Sequence, residues 1–356
     1  MDEHNVLMRI EGLTTNFHTY AGVVHAVDDM TLTIPKDTVV GIVGESGSGK
    51  SVTVLSVMRL IPSPPGRIED GHVWFDGDAL DMPERKQPEG PNTGMVDLLT
   101  LPPEEMMKVR GRHIGMIFQD PMVSLNPVLA IGLQMTESMV AHGLATEKEA
   151  WKKAVDLLAL VGIPSPEERM RDYPHQYSGG MRQRVMIAMA LSCNPELVIA
   201  DEPTTSLDVT VQAQILELMK ELKAKLKSSI IIISHDLSIV AGMADKVVVM
   251  YAGRMVEEAD VFDLYEKPGH PYTMGLMKSV PRLDAGERER LVPIEGSPPD
   301  LLAPPTGCKF APRCPHAMKV CLEKEPPFVT VGSGHRARCF LHHPAAPTVA
   351  GFVKVE

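Results

Sequence analysis

The stretch GESGSGKS at 44–51 constrains this chain more than any other. It follows the apolar run VVGIV and opens onto SVTVLSVMRLI, whose pattern predicts a helix. Strand, glycine-rich turn and helix in that order form a cradle for phosphate. Gly44, Gly47 and Gly49 let the backbone curl, so that the N–H groups from Ser46 through Ser48 to Val52 point inward, and the helix dipole adds positive potential at the same place. Lys50 is expected to reach the β- and γ-phosphates of a nucleoside triphosphate, and Ser51 to ligate Mg²⁺.

LVIADEP at 197–203 supplies the complementary half. Asp201 ends an apolar strand, where it can hold the Mg²⁺ shell, and Glu202 is placed to polarise an attacking water. A lone Asp-Glu pair after an apolar run more often caps a loop; paired with the 44–51 turn it gains weight. ELVIAD (196–201) and SIIIISH (229–235) read as strands buried on both faces of a parallel sheet. Ile215, Leu218, Met219, Leu222 and Leu226 recur between them at helical spacing, which predicts an amphipathic crossover helix and an α/β architecture.

Net charge is −11, against a chain that tracks nucleic-acid phosphates. No run approaches the about 18 apolar residues that cross a bilayer, and the acidic start lacks a secretory pattern. The expectation is a chain in the cytosol, where clustered cysteines bind metal more often than they pair. Residues 78–105 hold five prolines and read as a long loop or insertion. After Met255 prolines crowd in and helical periodicity fades, which predicts a boundary there.

YSGGMRQRVMIAMAL (177–191) completes a series. The 44–51 loop, Gln119 in IFQDP, the 177–181 signature, DEPTTSLD (201–208) and ISHD (233–236) stand in the order seen in the ATP-binding subunits of ABC transporters, which the chain resembles over roughly residues 6–255. The resemblance implies an ABC-type P-loop ATPase domain over 1–255, a mixed β-sheet core with a helical subdomain at approximately 120–190. It implies a head-to-tail pair of ATPase domains with ATP between one loop and the other's Ser178, Gly179 and Gly180. It also implies Gln119 as a γ-phosphate or Mg²⁺ sensor, His235 as a γ-phosphate contact aligning Glu202, and Asp208 in a loop crossing to the partner. An aromatic ring is expected on adenine; Tyr20 is the choice, with Phe17 and His25 as rivals. Tyr177 and Met181 depart from the usual Leu and Gln.

GMIFQDPMVSLNPV (115–128), YPHQYSGGMRQRVMIAMAL (173–191) and EGSPPDLLAPPTGCKFAPRC (295–314) resemble the ATPases of oligopeptide, dipeptide and nickel importers. That branch implies import of di- or oligopeptides, a second homologous ATPase subunit, two membrane permeases, an extracytoplasmic peptide-binding protein, no nucleic acid, and a peripheral place on the cytoplasmic face of the cell membrane. A soluble ABC-type ATPase of DNA repair or translation, a nickel importer, and an iron–sulfur sensor regulated by ATP are the rivals.

The 256–356 extension is read as a small irregular metal-binding domain. Its cysteines, Cys308-x5-Cys314-x6-Cys321-x17-Cys339, lack the tight knuckles of structural zinc sites. Four thiolates suit a [4Fe–4S] cluster, which some members of the branch carry; Zn²⁺, with help from His316, His335, His342 or His343, and unliganded or paired thiols are the alternatives. Cys193 stands apart and reads as a buried small residue.

Overall fold

The computed structural model describes residues 5–87, 89–90, 92–205, 208–279, 293–350 and 352. The chain divides into two compact units, each assembled from separate stretches. The first takes the described parts of Met1–Met8, Ile34–Thr38 and Trp74–Ile233; the second those of Arg9–Thr33, Val39–Val73 and Ser234–Glu356.

The first unit is built on parallel strands Ile114–Ile117, Leu197–Asp201 and Ser229–Ser234, with Leu197–Asp201 in the middle. Asp201 lies opposite Ile233 at the end of its ladder. Every residue of Leu197–Asp201 is buried, as continuous apolar runs require. The crossover helix Val209–Leu226 turns Ile215, Leu218, Met219 and Leu222 inward and carries Lys223 and Lys225 in its last turn, where cations favour the helix dipole.

Helices Ile131–Ala141, Glu147–Leu160 and Gly179–Leu191 also belong to this unit. The Glu147–Leu160 helix starts with a reciprocal capping box between Thr146 and Glu149. The described residues of 78–105 include regular elements. Met95–Asp97 is a fully buried strand antiparallel to Trp74–Asp76, and the Pro103–Val109 helix follows. Three residues are too few to show a period of two, and the prolines around them mask the strand.

In the second unit the strand order is Phe328–Gly332, His335–Arg338, Arg254–Asp260, Lys246–Tyr251 and Val39–Val43. All neighbours are antiparallel except Val39–Val43 with Lys246–Tyr251, which run parallel. The C-terminal stretch is thus less irregular than its prolines suggest. Its hairpin joins the sheet by pairing Ala337 with Glu257 and Arg336 with Glu258. Phe328 lies under the guanidinium groups of Arg336 and Arg338, whose carbons stand 4.7 and 4.3 Å from its ring centre. Helices Val261–Glu266 and Pro271–Lys278 precede it. Glu257, wholly buried, accepts hydrogen bonds from the Gly269 N–H and the Thr273 hydroxyl and pairs with His335 at 2.8 Å. A buried carboxylate costs too much without such partners. No described helix is long and apolar enough to cross a membrane.

Candidate functional site

The 44–51 loop folds as its glycines predict. Gly49 has φ 98°, and a Cβ there would meet the Ala26 carbonyl oxygen at 2.4 Å. A Cβ at Gly44 would meet the Met250 carbonyl at 2.2 Å. Only glycine fits either place. Ser46 and Gly47 form the exposed tip, while Ser48 is buried with no hydrogen-bond partner for its hydroxyl. The helix Lys50–Val57 begins without a side-chain cap, with Ser51 and Val52 half-buried on its first turn. The Lys50 ammonium donates to the carbonyls of Gly44 and Glu45 at 2.8 and 2.9 Å, folding back over the loop's mouth.

Within the first unit the carboxylate of Glu202 is held from two directions. Its Oε2 accepts a hydrogen bond from Gln119 Nε2 at 3.1 Å and from the Thr205 hydroxyl at 2.8 Å. Glu202 adopts φ 47°, in the left-handed region, and its N–H donates to the Ile233 carbonyl at 3.1 Å. Strain of this kind persists where surrounding bonds over-determine it. Asp201, just before it, is 5% exposed. Thr205 escaped the sequence reading: nothing local distinguishes it from Thr204, which is buried.

Ser178 caps the Gly179–Leu191 helix, its hydroxyl accepting from the Met181 N–H at 3.3 Å. Ser178 and Gly179 are exposed; Gly180 is half-buried, and a Cβ there would press on Val211 at 3.0 Å. Tyr177 in place of Leu has a structural reason: the ring is buried and its hydroxyl donates to the Arg169 carbonyl at 2.7 Å. Burial pushes that phenol up to about 12. Asp208 caps the Val209–Leu226 helix through the Val211 N–H. In the second unit, His235 is exposed beyond the Ser229–Ser234 strand. Tyr20 is fully exposed in the turn after Val6–Thr19, while Phe17 and His25 are half-buried.

The four tail cysteines, distant in sequence, line one small pocket of about 20 Å³ with His270, His316 and Phe310. The Cys308 N–H donates to the Cys321 carbonyl at 2.8 Å, closing the two segments on each other. Backbone N–H groups point at all four sulfurs: Phe310 at Cys308, His316 at Cys314, Met318 at Cys321 and Leu341 at Cys339. Burial nevertheless pushes Cys308 and Cys339 up to about 12 and raises Cys314, because a desolvated thiolate is costly.

Among the described residues no group of three or more His, Cys, Asp or Glu side chains is arranged to hold a metal ion already. The four tail cysteines are free thiols that line one pocket. Two of the histidines named as alternative zinc ligands are buried and engaged elsewhere: His335 pairs with Glu257, and His342 donates to the Gly269 carbonyl at 2.7 Å. Cys193 is buried beside the Ser138 hydroxyl, as expected.

With this geometry in view, the class follows. The ABC transporter family profile matches residues 27–205, and the chain belongs to that family. A second profile, the C-terminal region of oligopeptide/dipeptide transporters, matches residues 256–321. The oligopeptide transport ATP-binding protein OppD of Bacillus subtilis is 50% identical over 343 residues, 96% of this chain and 91% of its own length. The dipeptide transport ATP-binding protein DppD of the same organism is 47% identical over 94% of both chains. Escherichia coli OppD is 46% identical over 94% of this chain and 93% of its own. Among solved structures, a dimeric ATP-binding cassette in a post-hydrolysis state with ADP and phosphate aligns with a TM-score of 0.60. It covers 71% of this chain and 98% of that one at 24% identity, a shared cassette fold.

Proposed function

We propose that this chain is the ATP-hydrolysing subunit of an importer of di- or oligopeptides. The observation that carries the reading is near-full-length identity of 46–50% to proteins named for oligopeptide and dipeptide transport. None of these names points to nickel, DNA repair or translation, so those readings have no support. In this account residues 1–255 act as the ATPase domain, with the helical part at about 120–190, and 256–356 as an extension. Two membrane permeases, an extracytoplasmic binding protein and a second homologous ATPase complete the assembly, with this chain peripheral on the cytoplasmic face.

The residues take these roles. The loop from Gly44 to Val52 presents its N–H groups to the triphosphate once Lys50 leaves the Gly44 and Glu45 carbonyls for phosphate oxygens. Ser51, Gln119 and Asp201 are hard oxygen donors of the kind Mg²⁺ takes, and that ion would offset phosphate charge. Glu202 accepts the proton of the attacking water, its carboxylate aimed by Gln119 and Thr205. His235 contacts the γ-phosphate. Tyr20, exposed and free to stack, receives adenine. Ser178, Gly179 and Gly180 close on the nucleotide of the partner ATPase, with Asp208 beside them.

The tail's four thiols suit a [4Fe–4S] cluster better than Zn²⁺, because four sulfurs share one pocket and each already has an N–H donor for a thiolate. When bound, such a group ties the segments around 308, 314, 321 and 339 together. His335 and His342, engaged elsewhere, do not compete as ligands.

The test of the transport reading is reconstitution with co-purified permeases in vesicles. ATP turnover should rise on adding the binding protein with peptide, and labelled peptide should accumulate inside. Turnover indifferent to peptide, or accumulation of nickel alone, contradicts it.

A further inference from the structure

The second residue of the phosphate loop is Glu45, a carboxylate beside a site for a highly charged anion. Left alone it would repel the triphosphate. In this chain every polar group of Glu45 is engaged, two of them by residues beyond 256. Its N–H donates to the Tyr272 hydroxyl at 2.8 Å. Its carbonyl accepts from Lys50 Nζ at 2.9 Å and from the Ser48 N–H at 3.2 Å. Its carboxylate is gripped by Arg313 in a two-pronged pair, Nη1 to Oε2 at 2.6 Å and Nη2 to Oε1 at 2.9 Å.

Arg313 precedes Cys314 and is built in, not draped over the surface. Its side chain is 4% exposed. Besides Glu45, Nη1 donates to the Tyr251 hydroxyl at 3.3 Å, Nη2 to the Ile294 carbonyl at 3.2 Å and Nε to the Glu295 carbonyl at 3.0 Å. All the N–H donors of the guanidinium therefore have acceptors, which fixes its plane. The guanidinium carbon stands 5.8 Å from the centre of the Tyr251 ring, which packs tilted or edge-on with Tyr272 and Phe310 at ring-centre distances of 4.6–5.4 Å. Donating to Glu45 raises Arg313 above its ordinary range despite burial, so the guanidinium stays charged.

We propose that Arg313 is a positioning residue for the nucleotide site. It cancels the charge of Glu45 and holds that side chain in place, so the cysteine segment sets how readily the loop accepts a triphosphate. The proposal rests on the 44–51 loop being the ATP site, and it is independent of what the four thiols hold.

The experiment measures equilibrium binding of a fluorescent ATP analogue with Mg²⁺ to the full-length protein, alongside KM and kcat for ATP. Arg313→Gln should weaken binding about tenfold, because an unpaired carboxylate now faces the phosphates. KM should rise in step while kcat stays within about twofold. Adding Glu45→Gln to that variant should restore affinity to within about threefold of the parent, since the repelling charge is gone. Arg313→Lys, which keeps the charge but loses the fork, should fall between; it carries the test by the same comparison if Arg313→Gln does not fold. Unchanged affinity in Arg313→Gln, or a double variant as weak as the single, overturns the proposal. Lys50→Ala separates the two claims: its binding must collapse if 44–51 is the ATP site, whatever Arg313 does.

Discussion

In the proposed function the phosphate loop and the cysteine tail both receive groups of high charge, yet they are prepared in opposite ways. Around 44–51 the work is done by backbone: glycines that admit no Cβ, an uncapped helix start, and a lysine parked on carbonyls it can exchange for phosphate. The binding atoms are permanent dipoles and a permanent charge, so the site is ready before its ligand arrives. Around 308–339 the candidate ligands are thiols, and burial raises Cys308, Cys314 and Cys339 above the ordinary thiol range. They become ligands only when a metal replaces their protons. One site is organised by chain geometry, the other completed by what it binds.

Glu202 offers the largest break. Glu202→Gln should lower ATP turnover by about 10²–10⁴-fold while ATP binding persists, because the amide keeps the shape but accepts no proton. Phosphate release near the parent rate would remove Glu202 from its role. Thr205→Val, which deletes one of the two donors to that carboxylate, should cost about tenfold in kcat with little change in KM.

The tail gives the next contrast. Anaerobically purified protein should be brown, with absorbance near ~400 nm. Cys314→Ser or Cys339→Ser should bleach it and lower the melting temperature by about 5–10 °C. Colourless protein holding one zinc per chain would replace the cluster with a zinc site and keep the contrast. Thiols that bind neither would end it.

The smallest effect concerns acid. Burial works to raise Asp28, but hydrogen bonds and charge from Arg254 and Lys309 win and bring it to about 2. Its folded value lies below its ordinary 3.8, so its stabilisation is complete above that pH and fades as pH falls towards 2. Asp28→Asn should therefore cost about 1–2 kcal/mol at neutral pH and progressively less below about 4. A penalty that does not change with pH would show that the charge of Asp28 is not what matters.

What could be read from sequence follows the same divide. The 44–51 loop, the buried strands Leu197–Asp201 and Ser229–Ser234 and the helix Val209–Leu226 are local: contiguous residues with a period or a turn state the structure by themselves. Tyr177 and Glu202 were legible as positions, but not the Arg169 carbonyl that anchors one or the Thr205 hydroxyl that aims the other. The short strand Met95–Asp97 has no sequence signature, because three residues carry no period. Arg313 and Glu45 lie 268 residues apart, and no local pattern predicts their pairing. The cysteine spacing gave a donor set, but only the fold brings the four thiols to one pocket with N–H groups aimed at each sulfur.

The central claim is that ATP joins two ATPase subunits across the 44–51 loop and the 178–180 signature. Sedimentation of the Glu202→Gln protein, alone and mixed with its co-expressed sibling ATPase, in Mg·ATP tests it most directly. A two-subunit particle that forms with ATP and dissociates on nucleotide removal is the predicted result. Single chains in both samples at saturating ATP would contradict it.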